Sequence, residues 1–142
     1  MKSKFTFIST VSVLLVFVLG ACSTVNQATN DLLEGTSWKL TSYGGTAVLE
    51  GTTVTANFAD GEMNGSGGCN SYGGSYQVNG NKIQMENLMM TLMACLNPEG
   101  VMDQEAAVFG FLQNAETFEI NAEGQLLIYN AHGEALTFVP AE

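Results

Sequence analysis

The chain has 142 residues, 46% of them hydrophobic, which is enough for one domain with a real core and too little for a second. Fourteen acids stand against four lysines, no arginine and one histidine, for a net charge of −10. Such a balance repels phosphate, which argues against nucleic acid as a partner and against docking the domain surface on anionic lipid; its ordinary role is solubility.

The first residues read as an address. Lys2 and Lys4 precede an almost wholly apolar run, FTFISTVSVLLVFVLG from Phe5 to Gly20, the pattern of a secretory leader. The run is short and lacks a charged stop, whereas a permanent span wants about 20 apolar residues. It ends in Leu19-Gly20-Ala21-Cys22, which resembles the lipobox of bacterial lipoproteins, where the leader is cut before the cysteine and the cysteine is acylated. The resemblance implies a signal peptide over residues 1–21, lipidation at Cys22 and a place in the cell envelope. Ser23 would direct the protein to the periplasmic face of the outer membrane in a host with two membranes. An ordinary signal peptide ending near a cysteine is the competing reading. Each buried acyl methylene contributes about 0.8 kcal/mol, so an acylated terminus holds a domain on a bilayer. Cleavage would leave two lysines against fourteen acids, a net charge of −12. Residues 22–34, the cysteine and the polar stretch STVNQATNDLLE, read as a tether, and residues 35–142 as one domain.

From Gly35 onward the apolar residues alternate as half-buried strands require. Trp38 with Leu40, then Val54, Ala56 and Phe58, share a face; so do Tyr76 with Val78, Ile83 with Met85, Phe118 with Ile120, Leu126 with Ile128, and Leu136 with Phe138. Asp60-Gly61, Asn79-Gly80, Glu123-Gly124 and His132-Gly133 punctuate these runs as hairpin turns. One segment has another period: PEGVMDQEAAVFGFLQNA predicts a helix from an N-cap near Asp103, with Val108, Phe111, Leu112 and Ala115 on one stripe. The fold class expected is mainly β within α+β: a strongly curved antiparallel sheet or partly open barrel with one packed helix.

The stretch GSGGCNSYGGSY, Gly65 to Tyr76, is too glycine-rich to pass over. A phosphate cradle would place it before a helix with a following lysine, but a hairpin comes next and Lys82 lies beyond the turn. The structural reading accounts for more: Gly65, Gly67 and Gly68 in a strand that bends or meets another backbone, and Gly73 and Gly74 in a turn. Tyr72 and Tyr76 would pack their rings with wet hydroxyls, and Asn70 would bond its neighbours' amides. With Cys22 committed to lipid, Cys69 and Cys95 remain, and parity in an oxidising compartment favours a bridge; two buried free thiols are the alternative.

These residues also carry a family likeness. Gly68-Cys69-Asn70, Tyr72-Gly73-Gly74-Ser75-Tyr76 and Thr91-Leu92-Met93-Ala94-Cys95, preceded by Trp38-Lys39-Leu40 and followed by Leu126-Leu127-Ile128 and Leu136-Thr137-Phe138, resemble the META domain family, which includes the HslJ-type heat-shock proteins. The likeness spans Gly35 to Val139 and implies a small antiparallel β structure with a helix. Family members are connected with stress response, antibiotic tolerance and, in protozoa, secretion and virulence. The resemblance brings no catalytic residues with it.

Reactive chemistry is thin. Nucleophilic catalysis would have to use His132, the one imidazole, which falls in a turn. Glu116 with Glu119, and Asp103 with Glu105, read as surface acids rather than a glycosidase pair. Met85, Met89, Met90 and Met93 suit Cu(I) in type, but methionines fill cores more often than they bind copper. The expectation is therefore no enzyme, no catalytic or metal site and no cofactor. The leading reading is a lipid-anchored envelope protein that contacts another envelope protein in envelope homeostasis or stress tolerance. The alternative is a carrier of a hydrophobic small molecule, lipid or acyl chain, in a pocket lined by Phe58, Tyr76, Met85, Leu126 and Phe138.

Overall fold

The computed structural model describes residues 32–142, so the leader, Cys22 and most of the tether lie outside the described residues. Alternating apolar residues do form strands. The first is β1 (Thr36–Tyr43), which buries Trp38 and Leu40, followed by a two-residue β2 (Thr46–Ala47). Then come β3 (Thr55–Ala59), β4 (Glu62–Ser66), β5 (Ser71–Asn79) and β6 (Lys82–Met90), which turn Phe58, Met63, Tyr72, Tyr76 and Ile83 inward. The helix α1 (Val101–Gln113) follows, and β7 (Ala115–Ile120), β8 (Leu126–Asn130) and β9 (Ala135–Pro140) complete the chain.

The sheet runs β2-β1-β3-β4-β5-β6-β7-β8-β9, and β1 also pairs antiparallel with β9, through Leu40 opposite Phe138. The curved sheet therefore closes into an eight-stranded barrel with β2 outside it, which removes the sheet edges. The thinnest part of the wall is between β6 and β7, where Lys82 opposite Thr117 is the ladder pair.

The antiparallel register puts four strand connections at one end, the turn at 131–134 among them, and three at the other. The upper pole gathers loop 48–54, loop 67–70, loop 91–100 and α1. The lower pole carries the turns at 60–61, 80–81 and 121–125, together with the chain's entry at Leu33 and its exit at Pro140. Both poles are stoppered: Val108 and Leu112 of α1 join the core from above, and fully buried Leu33 joins it from below. Leu33 and Glu34, at the end of the segment read as a tether, thus pack as part of the barrel. Glu34 accepts hydrogen bonds from the Asp60 and Gly61 amides (2.6 and 3.3 Å) and from the Tyr76 hydroxyl (3.0 Å).

Several local expectations are corrected. The helix begins at Val101 after Gly100, which is left-handed and offers no side-chain cap, so Asp103 lies in the first turn; Ala115 already belongs to β7. The β5–β6 loop is Gly80-Asn81, one residue later than expected, because Asn79 pairs with Lys82. Gly73 and Gly74 lie inside β5 rather than in a turn. Gly74 is required there, since a Cβ would come within 2.7 Å of the Glu86 carbonyl oxygen at the β6 bulge around Asn87. Gly65 fulfils the expected close approach: its Cβ would lie 1.9 Å from the Thr55 carbonyl oxygen. The tyrosine hydroxyls are not wet but bonded within the protein, Tyr72 to the Thr55 carbonyl at 2.5 Å and Tyr76 to Glu34.

Candidate functional site

The upper pole is organised around two consecutive side chains of α1. Gln104 faces loop 48–54, accepting from the Leu49 amide at 2.7 Å and donating to the Thr52 hydroxyl at 3.1 Å. Glu105 faces loop 67–70. One carboxylate oxygen accepts from the backbone amides of Cys69 (3.3 Å) and Asn70 (2.5 Å), and the other from the Asn70 side-chain amide (2.7 Å). Both residues are buried, so Glu105 is no surface acid. Its carboxylate takes the space beside Gly67, where a Cβ would stand 2.5 Å from Oε1.

Asn70 passes this connection on to a third loop. Its side-chain oxygen accepts from the Thr91 hydroxyl (2.9 Å) and the Met93 amide (2.6 Å), and its side-chain nitrogen donates to the Met93 carbonyl (3.0 Å). Asn70 is therefore a long-range clasp, not the local turn-former its loop position suggests. Cys69 and Cys95 form a disulfide beside it, with Cα atoms 6.0 Å apart, and Met102 of α1 accepts from the Cys95 amide at its sulfur (3.4 Å). Loop 91–100 is thus fixed at Thr91, Met93 and Cys95.

What this rigid loop presents is apolar. Leu92 and Leu96 are 91% and 84% exposed, Met89 and Met93 72% and 59%, and Met102 is exposed to a lesser degree. Exposed apolar residues scattered singly are ordinary, whereas a run of them on one fixed crest marks an interaction site. Of the methionines with copper-binding chemistry, Met89 and Met93 belong to the crest, while Met85 and Met90 pack against the core. Among the described residues no three His, Cys, Asp or Glu side chains are grouped as a metal ligand set.

The five residues named for a ligand pocket meet in the barrel interior. Phe58, Tyr76, Leu126 and Phe138 are buried there and Met85 is half-buried against them, with Phe58 and Tyr76 in edge-to-face contact at 5.0 Å between centroids. Three clefts on the surface are lined by other residues. His132 lies exposed in its turn, and its amide donates to the Asn130 side chain at 2.9 Å. Burial pushes the Tyr72 hydroxyl far above its ordinary pKa, and the Glu119 carboxylate, which accepts the Tyr129 hydroxyl at 2.8 Å, raises that of Tyr129.

Fold and site together define a class: a small closed antiparallel barrel, stoppered by one helix and stapled by a disulfide at the helix end. The chain belongs to the META domain family, whose model matches residues 31–142. Among solved structures it is similar to an NMR structure of a protein from Burkholderia xenovorans, 28% identical, with a TM-score of 0.66 and an alignment covering 80% of this chain and 87% of that one. A second NMR structure, 23% identical, shares the fold with a TM-score of 0.64 over 78% of this chain and 93% of that one. No curated protein matches.

Proposed function

We propose that this is a lipid-anchored protein of the cell envelope whose META domain works without catalysis, by contacting another envelope protein in envelope homeostasis or in tolerance of stress and antibiotics. The observation that carries the reading is the exposed crest of loop 91–100, held rigid by the Asn70 clasp and the disulfide. Two reactive groups beside the crest are engaged in holding it: Glu105 is sealed behind loop 67–70 and the two thiols are joined to each other. The leader and Leu19-Gly20-Ala21-Cys22 supply the anchor, and Ser23 favours the outer membrane of a two-membrane host.

The test is photocrosslinking in intact cells from a reactive residue at position 92, alongside the deletion strain. A discrete envelope-protein adduct and heightened sensitivity to heat, detergent or hydrophobic antibiotics are expected. No adduct together with unchanged sensitivity would remove the reading. The carrier is the second reading, favoured by the convergence of Phe58, Tyr76, Leu126 and Phe138 on one interior. It requires a stopper, Leu33 or α1, to move. Native mass spectrometry of protein from its own host decides it, since an empty domain that also ignores fatty-acid probes is no carrier.

A further inference from the structure

Resting on that reading, we infer that the crest docks a protein segment of defined chemistry: an apolar side chain seated in the groove over Gly73, with basic residues on its flanks. The crest continues from Met89 into a cleft of about 440 Å³ on the outer wall of β4, β5 and β6, bordered by Asn64, Met89 and Thr91 and floored by Gly73. The fold does not demand glycine at this floor. Gly73 has no positive φ, and a Cβ there would meet only ordinary contacts, 3.4 Å from the Met63 carbonyl oxygen and 3.5 Å from the Asn64 Cβ. Its neighbour Gly74, by contrast, is forced by the β6 backbone. The missing side chain at Gly73 leaves room on the wall, next to the most exposed apolar residues among those described.

Charge selects the occupant. Exposed Glu50, Glu99 and Asp103 lie in or beside the upper-pole loops, while the two lysines of the described residues are elsewhere, Lys39 within β1 and Lys82 at the lower end of β6. The field at the crest is therefore negative and attracts a basic rim. A second copy would bring the same acids against it, and an anionic bilayer would be repelled. Position points the same way, because the segment that carries Cys22 joins the barrel at Leu33, on the pole opposite the crest. Rigidity also helps: a loop already fixed at Met93 and Cys95 loses little freedom on binding.

The experiment uses the whole lipidated protein in nanodiscs of zwitterionic lipid and two labelled peptides, a Leu/Phe core flanked by lysines and the same core flanked by glutamates. The lysine-flanked peptide is expected to bind at least about tenfold more tightly, with affinity falling as salt rises. Gly73→Val, which fills the groove and suits a strand, and Leu92→Asp on the crest should each weaken binding by about tenfold or more while thermal unfolding stays unchanged or rises for the valine variant. Equal binding of the two peptides, binding indifferent to both substitutions, or crest-dependent dimers that exclude the peptide would each overturn the inference. If neither peptide binds while position 92 still crosslinks to an envelope protein, this inference fails and the broader reading stands.

Discussion

Glu105 sits where three N–H groups, from Cys69, Asn70 and the Asn70 side chain, converge on one buried carboxylate. Glutamine there would keep one acceptor but set an NH₂ donor against the Asn70 donor. Glu105→Gln is therefore expected to cost about 1–3 kcal/mol, seen as a lower urea midpoint with an unchanged slope. A variant as stable as the parent would show the network to be dispensable. The sequence did carry a trace of this: Glu105 falls on the stripe of Val101, Val108 and Leu112, and an acid on an apolar face needs a buried partner. Its partner Asn70, thirty-five residues away, was not legible, because a side chain's reach across loops has no local pattern. At the other pole the Asp60 amide, then the Tyr76 hydroxyl and the Gly61 amide, hold the Glu34 carboxyl below its ordinary range. The folded state therefore binds this proton more weakly than the unfolded chain. The stabilisation is present above the ordinary value of 4.5 and is lost as pH falls through the lowered one. Glu34→Gln should flatten the acid limb of the thermal stability profile, and profiles that stay parallel through that limb would contradict the assignment.

At the scale of elements, alternation was enough to read seven of the eight barrel strands, because a strand with one buried face has a period of two; β4 buries Met63 alone and shows no such period. Turn details were harder. The β7–β8 and β8–β9 connections are built alike, with the Asn121 and Asn130 side-chain oxygens each accepting the backbone amides on either side of Gly124 and Gly133. The glycines announced the turns while the asparagines that brace them passed unnoticed. The helix start was misplaced for a related reason: Gly100 caps it by conformation, so side-chain chemistry pointed to Asp103 instead. Within β4, Gly65 allows the wall to pass the Thr55 carbonyl. Because that atom is backbone and cannot swing away, Gly65→Ala is expected to cost about 3 kcal/mol or more, measured by urea unfolding. A loss below about 1 kcal/mol would mean that β3 shifts freely. Gly67 is the milder case, since the obstructing atoms belong to the Glu105 side chain.

For the whole molecule the decisive question is whether the staple holds the barrel or only its crest. Closure of β1 on β9, the Leu33 stopper and the burial of Val108 and Leu112 involve neither cysteine. The bridge spans a sequence separation of 26 and ties loop 67–70 to loop 91–100, where Asn70 already grips Met93. A loop of that length is worth about 3.5 kcal/mol in the chain-entropy account, spread over an unfolded state that the barrel strands also constrain. Replacing Cys69 and Cys95 with serine should therefore lower global stability by no more than about that amount. Amide exchange should rise chiefly from Met93 to Asn97, with the strands still protected, because local opening follows the loss of local restraints. The crest would keep its composition and lose its fixed shape, so the lysine-flanked peptide should bind the double variant more weakly than the parent although every contacting side chain is unchanged. Exchange rising equally in β1, β8 and β9 would instead make the bridge a member of the core, and rigidity of the crest a by-product of folding rather than a property maintained at that pole.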